Sequence, residues 1–160
     1  MRTYDEQLGV PATILRLFSV YGPRQRPEMG YYQFVERILR GRPILVHGDG
    51  DQLRGNTYVG DVARAMLLAA ERFERGAVYN VGGAEEVSAN QVIALLEELT
   101  GRRALVAHGP ARPGEQRRAL ADTRRARERL GFVPQTPLRE GLAAQVAWGA
   151  GAAGARGPPP

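Results

Sequence analysis

The sequence predicts an α/β fold, and three observations carry that expectation. Short apolar runs punctuated by glycine and proline recur at 13–20, 44–47, 77–81 and 104–107. Runs of this kind read as strands of a parallel sheet, and those at 13–20 and 77–81 read as buried on both faces. Between the runs lie stretches with apolar residues at helical spacing. The two patterns alternate along the chain, which is the order of a parallel sheet with helices packed against it. A length of 160 residues is enough for one domain with its own core. That domain is expected over 1–148, with a disordered tail of Gly, Ala, Arg and Pro over 149–160.

Taken in order, Gly9-Val10-Pro11 reads as the end of a helix and the entry to the first strand. That strand ends in Gly22-Pro23 and then in polar, cationic loop residues. An open α/β sheet places its ligand just beyond the carboxyl ends of its strands, so this edge is where a site is expected. Tyr31, Phe34, Val35 and Ile38 fall at i, i+3, i+4 and i+7 and predict a helix over 30–40, stopped by Gly41 and Pro43. The strand 44–47 runs into Gly48-Asp49-Gly50-Asp51, a turn. Asp61 is expected to cap the next helix, whose apolar stripe is Val62, Ala65, Met66, Ala69 and Phe73. After the strand 77–81 and Gly82-Gly83, Ser88 with Gln91 three residues on forms a capping box for a helix carrying Val92, Leu95, Leu96 and Leu99. Gly101 ends it. The loop 109–115 holds two prolines and two glycines. Asp122 is expected to cap a basic helix that stops at Gly131, and Thr136-Pro137 opens a last helix ending near Trp148.

Composition removes several function classes. There is no Cys, hence no disulfide framework, thiolate nucleophile or Cys-ligated metal. No apolar run reaches the length of a membrane span and no signal-peptide pattern opens the chain, so the expected location is the cytoplasm. The net charge of +5 and the pI near 10.2 raise the question of a nucleic-acid partner. All 22 basic residues are Arg, however, and they alternate with Glu and Asp as in Arg127-Glu128-Arg129, without an aromatic-plus-basic stripe. Solvated helix faces account for most of them. No nucleic-acid partner and no membrane partner are expected.

Candidates for catalysis are few. His47 and His108 are the only histidines, far apart, each at a strand end, and each reads as a pocket liner or a surface residue. No spacing of His or carboxylates suggests a metal. The absence of Lys excludes a Schiff base and a Tyr–Lys proton relay within this chain. No Gly-x-Gly-x-x-Gly follows a strand, and Gly48-Asp49-Gly50 is too short to cradle a phosphate. Anion binding is better supported. Arg24, Arg26, Arg54 and Arg112 stand in loops next to strand ends. They are either four solvated loop arginines or a converging set for a diphosphate.

Several segments together resemble a known family. Leu15-Arg16-Leu17-Phe18-Ser19-Val20-Tyr21-Gly22-Pro23-Arg24-Gln25 resembles the segment after the Tyr-x-x-x-Lys of nucleotide-sugar epimerases and dehydratases, the extended short-chain dehydrogenases/reductases. The run from Gly41-Arg42-Pro43-Ile44 through Gly48-Asp49-Gly50, Arg54, Tyr58-Val59 and Asp61-Val62 is similar to theirs. So are Tyr79-Asn80-Val81-Gly82-Gly83, Arg112-Pro113-Gly114-Glu115, and Asp122 with Leu130-Gly131-Phe132 and Pro134. The likeness covers residues 4 to about 148 in register and is nearest the UDP-glucose 4-epimerase-like group.

The resemblance implies the C-terminal part of a Rossmann-type parallel sheet plus the small α/β substrate-binding subdomain. It implies NAD or NADP as the cofactor of the complete enzyme, a nucleotide-diphosphate sugar such as a UDP-sugar as the substrate, and allows a homodimer. The glycine-rich cofactor motif at a strand–helix junction and the Tyr-x-x-x-Lys are not found, so no catalytic residue is assigned and the chain alone is expected to be inactive. By the resemblance, Phe18 sits near the nicotinamide. Ser19 stands where an Asn usually contacts the substrate, and Pro27 and Met29 belong to a loop over the nucleotide. Val46 and His47 line the base, Arg54 and Arg112 clamp the diphosphate, and Glu115 binds a ribose hydroxyl. Gly55, Asn56 and Gly60 replace the Asp, aromatic and Asp that usually follow the arginine. The alternative expectation is a free-standing nucleotide-binding module without chemistry. The two differ at the first strand, where an enzyme portion is expected to show an exposed apolar edge.

Overall fold

The computed structural model describes residue 5 and residues 7–155. Among the described residues, nine short strands and five helices with given bounds alternate in an α/β arrangement, as the apolar pattern predicts. In chain order they are β1 (Ile14–Leu17), β2 (Val20–Tyr21), α1 (Gly30–Leu39), β3 (Ile44–His47), β4 (Leu53–Gly55), β5 (Thr57–Tyr58), α2 (Val59–Glu71), β6 (Val78–Val81), β7 (Glu86–Ser88), α3 (Ala89–Thr100), β8 (Val106–Gly109), β9 (Arg118–Ala119), α4 (Arg124–Leu130) and α5 (Leu138–Ala155). Parallel ladders join β1 to β6, β2 to β5 and β3 to β8, while β4 pairs antiparallel with β7 and parallel with β9. No helix among the described residues is long and apolar enough to cross a membrane.

The run 13–20 is not one strand. It breaks at Ser19, whose φ is 32°, and passes from one partner to another. Phe18 N–H still reaches Val81 O at 3.0 Å, at the end of the β6 ladder. Thr57 then takes over, its Oγ1 donating to Phe18 O at 2.7 Å and its N–H to Ser19 O at 3.2 Å. Nor is β1 buried on both faces: Leu17 is 41% exposed, because β6 is its only strand partner among the described residues.

Two cores result. One lies under α2 and α4 against β6, with Val62, Ala65, Tyr79, Val81, Leu130 and Phe132 buried. The other lies among α1, α3, α5 and β3, around Val35, Ile38, Ile44, Leu96 and Leu142. The α1 periodicity holds, since Val35 and Ile38 are almost fully buried. The stripe of α2 is narrower than expected. Val62, Ala65 and Ala69 are buried, but Met66 lies off that line and is exposed, and Phe73 stands beyond the helix end. The Ser88–Gln91 capping box is formed in both directions, and Gly101 ends α3 in the left-handed conformation at φ 64°.

Three expected helix ends differ. Asp61 is not the cap of α2, whose N-cap is Tyr58; it stands inside the first turn, buried, and serves another segment. Asp122 lies one residue outside the N-cap Thr123, and its Oδ1 accepts the Arg124 N–H at 3.1 Å. The first N–H of α5, from Leu138, is taken by the Glu85 carboxylate at 2.7 Å. The tail expected to be disordered from 149 is helical as far as Ala155, and residues 156–160 lie outside those described. Alanine has the highest helix propensity, and the glycines, each costing about 1 kcal/mol relative to it, do not outweigh the run that begins at Leu138.

Candidate functional site

β3 and β4 run toward a cleft of about 440 Å³, within the size range of small-molecule sites. Its walls are the end of β3, β4, the helix α1 and the loop 110–117. Five of the residues expected to bind a nucleotide meet here: Val46, His47, Arg54, Arg112 and Glu115. Ser19 and Met29 line a separate groove of about 380 Å³ with Arg24 and Arg26. The two openings lie on either side of the chain at 28–30, since Glu28 and Gly30 face the first and Met29 the second. Phe18 and Pro27 line neither. Phe18 is half-buried at the fork between β5 and β6.

The four arginines therefore do not form one set, and Arg54 lies not in a loop but in the strand β4, between β7 and β9. The turn after β2 takes left-handed conformations at Gly22 (φ 129°) and Arg24 (φ 64°), and Arg26 is paired with Glu28 at 3.2 Å. The turn is held from behind by α5. Buried Gln145 accepts the Gly22 N–H at 3.0 Å and donates to Gln25 at 2.8 Å, and Gln25 donates to Val20 O at 2.8 Å. Arg54 and Arg112 are the pair that shares a cleft, and they differ. Arg54 is fixed: Nη1 donates to Leu53 O and Gln116 O, each at 2.9 Å, and Nη2 meets Glu115 Oε1 at 3.1 Å. Its Nε–H has no partner among the described residues. Arg112 is exposed and makes no ion pair among the described residues.

Glu115 thus faces Arg54 as well as the cleft, and Gln52 ties it to the strand end. Gln52 Nε2 donates to His47 O at 3.2 Å and lies 3.4 Å from Glu115 Oε1. His47 Nδ1 is 3.3 Å from Pro110 O. A carbonyl only accepts, so Nδ1 carries the proton in that contact and Nε2 is left as an acceptor. His108 makes the matching contact, Nδ1 to Gly48 O at 2.9 Å. The turn 49–51 is built for rigidity. Asn90 Nδ2 bonds Asp49 O and Asp51 Oδ1, and Arg117 pairs with Asp49 at 2.7 Å. That hydrogen bond from Arg117 holds the Asp49 carboxyl below its usual range. A side chain at Gly50, φ 79°, would lie 2.4 Å from Asn90 Oδ1.

Tyr31, Phe34, Arg37, Gln52 and Asn56 also line the cleft and were not assigned to a site from the sequence. Tyr31 and Phe34 read as core positions of a helix. Gln52, Arg54 and Asn56 do carry a signal, because alternate residues of an extended segment project to one side. The spacing Gly149-x-Gly151-x-x-Gly154 does occur, but inside α5 with no strand before it, and so is not a dinucleotide fingerprint.

The model of the NAD dependent epimerase/dehydratase family matches residues 1–82. The chain belongs to the NAD-dependent epimerase/dehydratase family. An uncharacterized UDP-glucose epimerase of Bacillus subtilis, YtcB, is 35% identical over 146 residues, 91% of this chain and 46% of that protein. Among solved structures, the UDP-glucuronic acid 4-epimerase of Bacillus cereus with UDP-glucuronic acid and NAD has a TM-score of 0.88 at 34% identity, covering 94% of this chain and 49% of the other. MoeE5 with UDP-glucuronic acid and NAD has a TM-score of 0.83 at 47% identity, covering 88% and 47%. The UDP-glucose 4-epimerase of Thermotoga maritima with UDP-glucose has a TM-score of 0.86 at 38% identity, covering 94% and 50%. The chain spans about half the length of the relatives it matches. The likeness to these structures supports the α/β, Rossmann-like fold class.

Proposed function

We propose that residues 1–148 are the substrate-binding portion of an NAD-dependent nucleotide-sugar epimerase or dehydratase acting on a UDP-sugar. The observation that carries this reading is the meeting of Val46, His47, Arg54, Arg112 and Glu115 in one cleft. The base rests on Val46 and His47, Arg54 and Arg112 hold the diphosphate, and Glu115 offers its free oxygen to a ribose hydroxyl. The sugar extends past 28–30 toward Ser19 and Met29. NAD, when bound, supplies the redox chemistry. The described residues do not suffice to hold it: the Gly-x-Gly-x-x-Gly spacing occurs only inside α5, with no strand before it. No step is assigned through it, and by itself the chain is inactive. Leu17, on the edge strand β1, is exposed, which supports an enzyme portion over a free-standing module.

Calorimetric titration of the full chain with UDP, UDP-glucose and UDP-glucuronic acid tests the assignment. Arg54 is already oriented, whereas Arg112 gives up as much as about 2 kcal/mol of side-chain entropy on binding. With charge-assisted bonds each contributing about 1.5–3 kcal/mol, Arg54→Ala is expected to weaken UDP binding about 100-fold and Arg112→Ala about 10-fold. Unchanged affinity in both variants would sink the clamp.

A further inference from the structure

Resting on that reading of the cleft as a nucleotide site, we propose that the Tyr31 hydroxyl is a further ligand-binding group, donating a hydrogen bond to a diphosphate oxygen, with Asn56 positioning it. Asn56 Nδ2 lies 2.6 Å from the Tyr31 hydroxyl and 3.3 Å from Arg54 O. The carbonyl can only accept, so the amide atom facing both groups is the nitrogen. The Tyr31 oxygen therefore receives an N–H, and its own proton must go elsewhere. Among the described residues no acceptor takes it, and the open volume next to the ring is the cleft that Tyr31, Asn56 and Arg54 line together.

The group is placed for the diphosphate and not for the base. Asn56 follows Arg54 by two residues, so the two side chains leave the chain on the same side. The Tyr31 ring is fixed edge-on to Tyr21 at 5.5 Å and stacked on Phe34 at 6.2 Å. Burial pushes the Tyr31 hydroxyl well above the usual tyrosine range, so it stays protonated and remains a donor at neutral pH.

The test is a titration of the full chain with UDP and with uridine, for wild type, Tyr31→Phe, Asn56→Ala and the double variant, with a thermal melt confirming that each folds. Tyr31→Phe keeps the ring and its packing. It is expected to weaken UDP about tenfold, the scale of one hydrogen bond to a charged group, and to leave uridine unchanged. Asn56→Ala is expected to weaken UDP in the wild-type background and not in the Tyr31→Phe background; a merely structural role would weaken it in both. Equal UDP binding by Tyr31→Phe and wild type, or equal losses for UDP and uridine, overturns the assignment and leaves the nucleotide reading standing. Wild type that binds neither UDP nor uridine overturns both.

Discussion

Replacing Asp61 by alanine should cost far more than the loss of a helix cap. The carboxylate is 4% exposed and accepts three hydrogen bonds. Gln135 N–H meets Oδ1 at 3.2 Å, Thr136 N–H meets Oδ2 at 3.1 Å, and Arg64 Nη2 meets Oδ1 at 2.9 Å. It thereby ties α2, in one core, to the segment that leads into α5, in the other. Removal leaves two loop N–H groups without a partner and a guanidinium paired only with Val133 O, its Nε already buried without one. Breaking a buried pair costs about 3–5 kcal/mol. At about 2–4 °C per kcal/mol for a chain of this size, the melting temperature should fall by roughly 6–20 °C. A cap would be worth only about 0.5–2 kcal/mol, and Asn would replace it almost without loss. Here Asn is no rescue, because its NH2 group would face an N–H where Oδ2 now accepts. Urea unfolding of wild type, Asp61→Ala and Asp61→Asn separates the two cases. The reasoning is refuted by an Asp61→Asn variant within about 0.5 kcal/mol of wild type, the loss that a mere cap would show.

Two further outcomes follow from particular contacts. A Cβ at Gly83 would lie 1.9 Å from Asn56 O, a backbone atom that cannot step aside cheaply; Gly83→Ala should cost about 2–3 kcal/mol in urea unfolding and weaken UDP binding by moving Asn56, and a variant changed in neither measure contradicts this. Hydrogen bonds hold four surface carboxyls below their usual values: Asp122, from Arg124, at about 2; Glu74, chiefly from Tyr79; Glu86, from Arg118; and Asp49, from Arg117. Because their folded values lie below the unfolded ones, their stabilisation is complete above about pH 4–5 and is lost as pH falls toward 2, less steeply in high salt. A melting temperature that holds constant from pH 6 to pH 2.5 would remove these pairs from the account.

The sequence by itself determined the elements whose cause is local. Helical spacing placed Val35 and Ile38 in a core, the Ser88–Gln91 pair opened α3, and Gly101 and Gly131 closed helices with left-handed residues. These features depend on neighbours within one turn, and the local pattern contains the whole reason. The sequence likewise put Arg54 and Arg112, with Arg24 and Arg26, forward as candidates for an anion site beside strand ends. Tertiary structure alone decided which of these arginines converge, because Arg54 and Arg112 meet only when the loop 110–117 folds back over β4, more than fifty residues away in the chain. It alone turned Asp61 from an expected cap into a buried acceptor for Gln135 and Thr136, split 13–20 between β6 and β5, and set Asn56 against Tyr31. A residue's partner across such a separation is chosen by packing and by the need to satisfy buried polar groups, and neither leaves a period in the sequence.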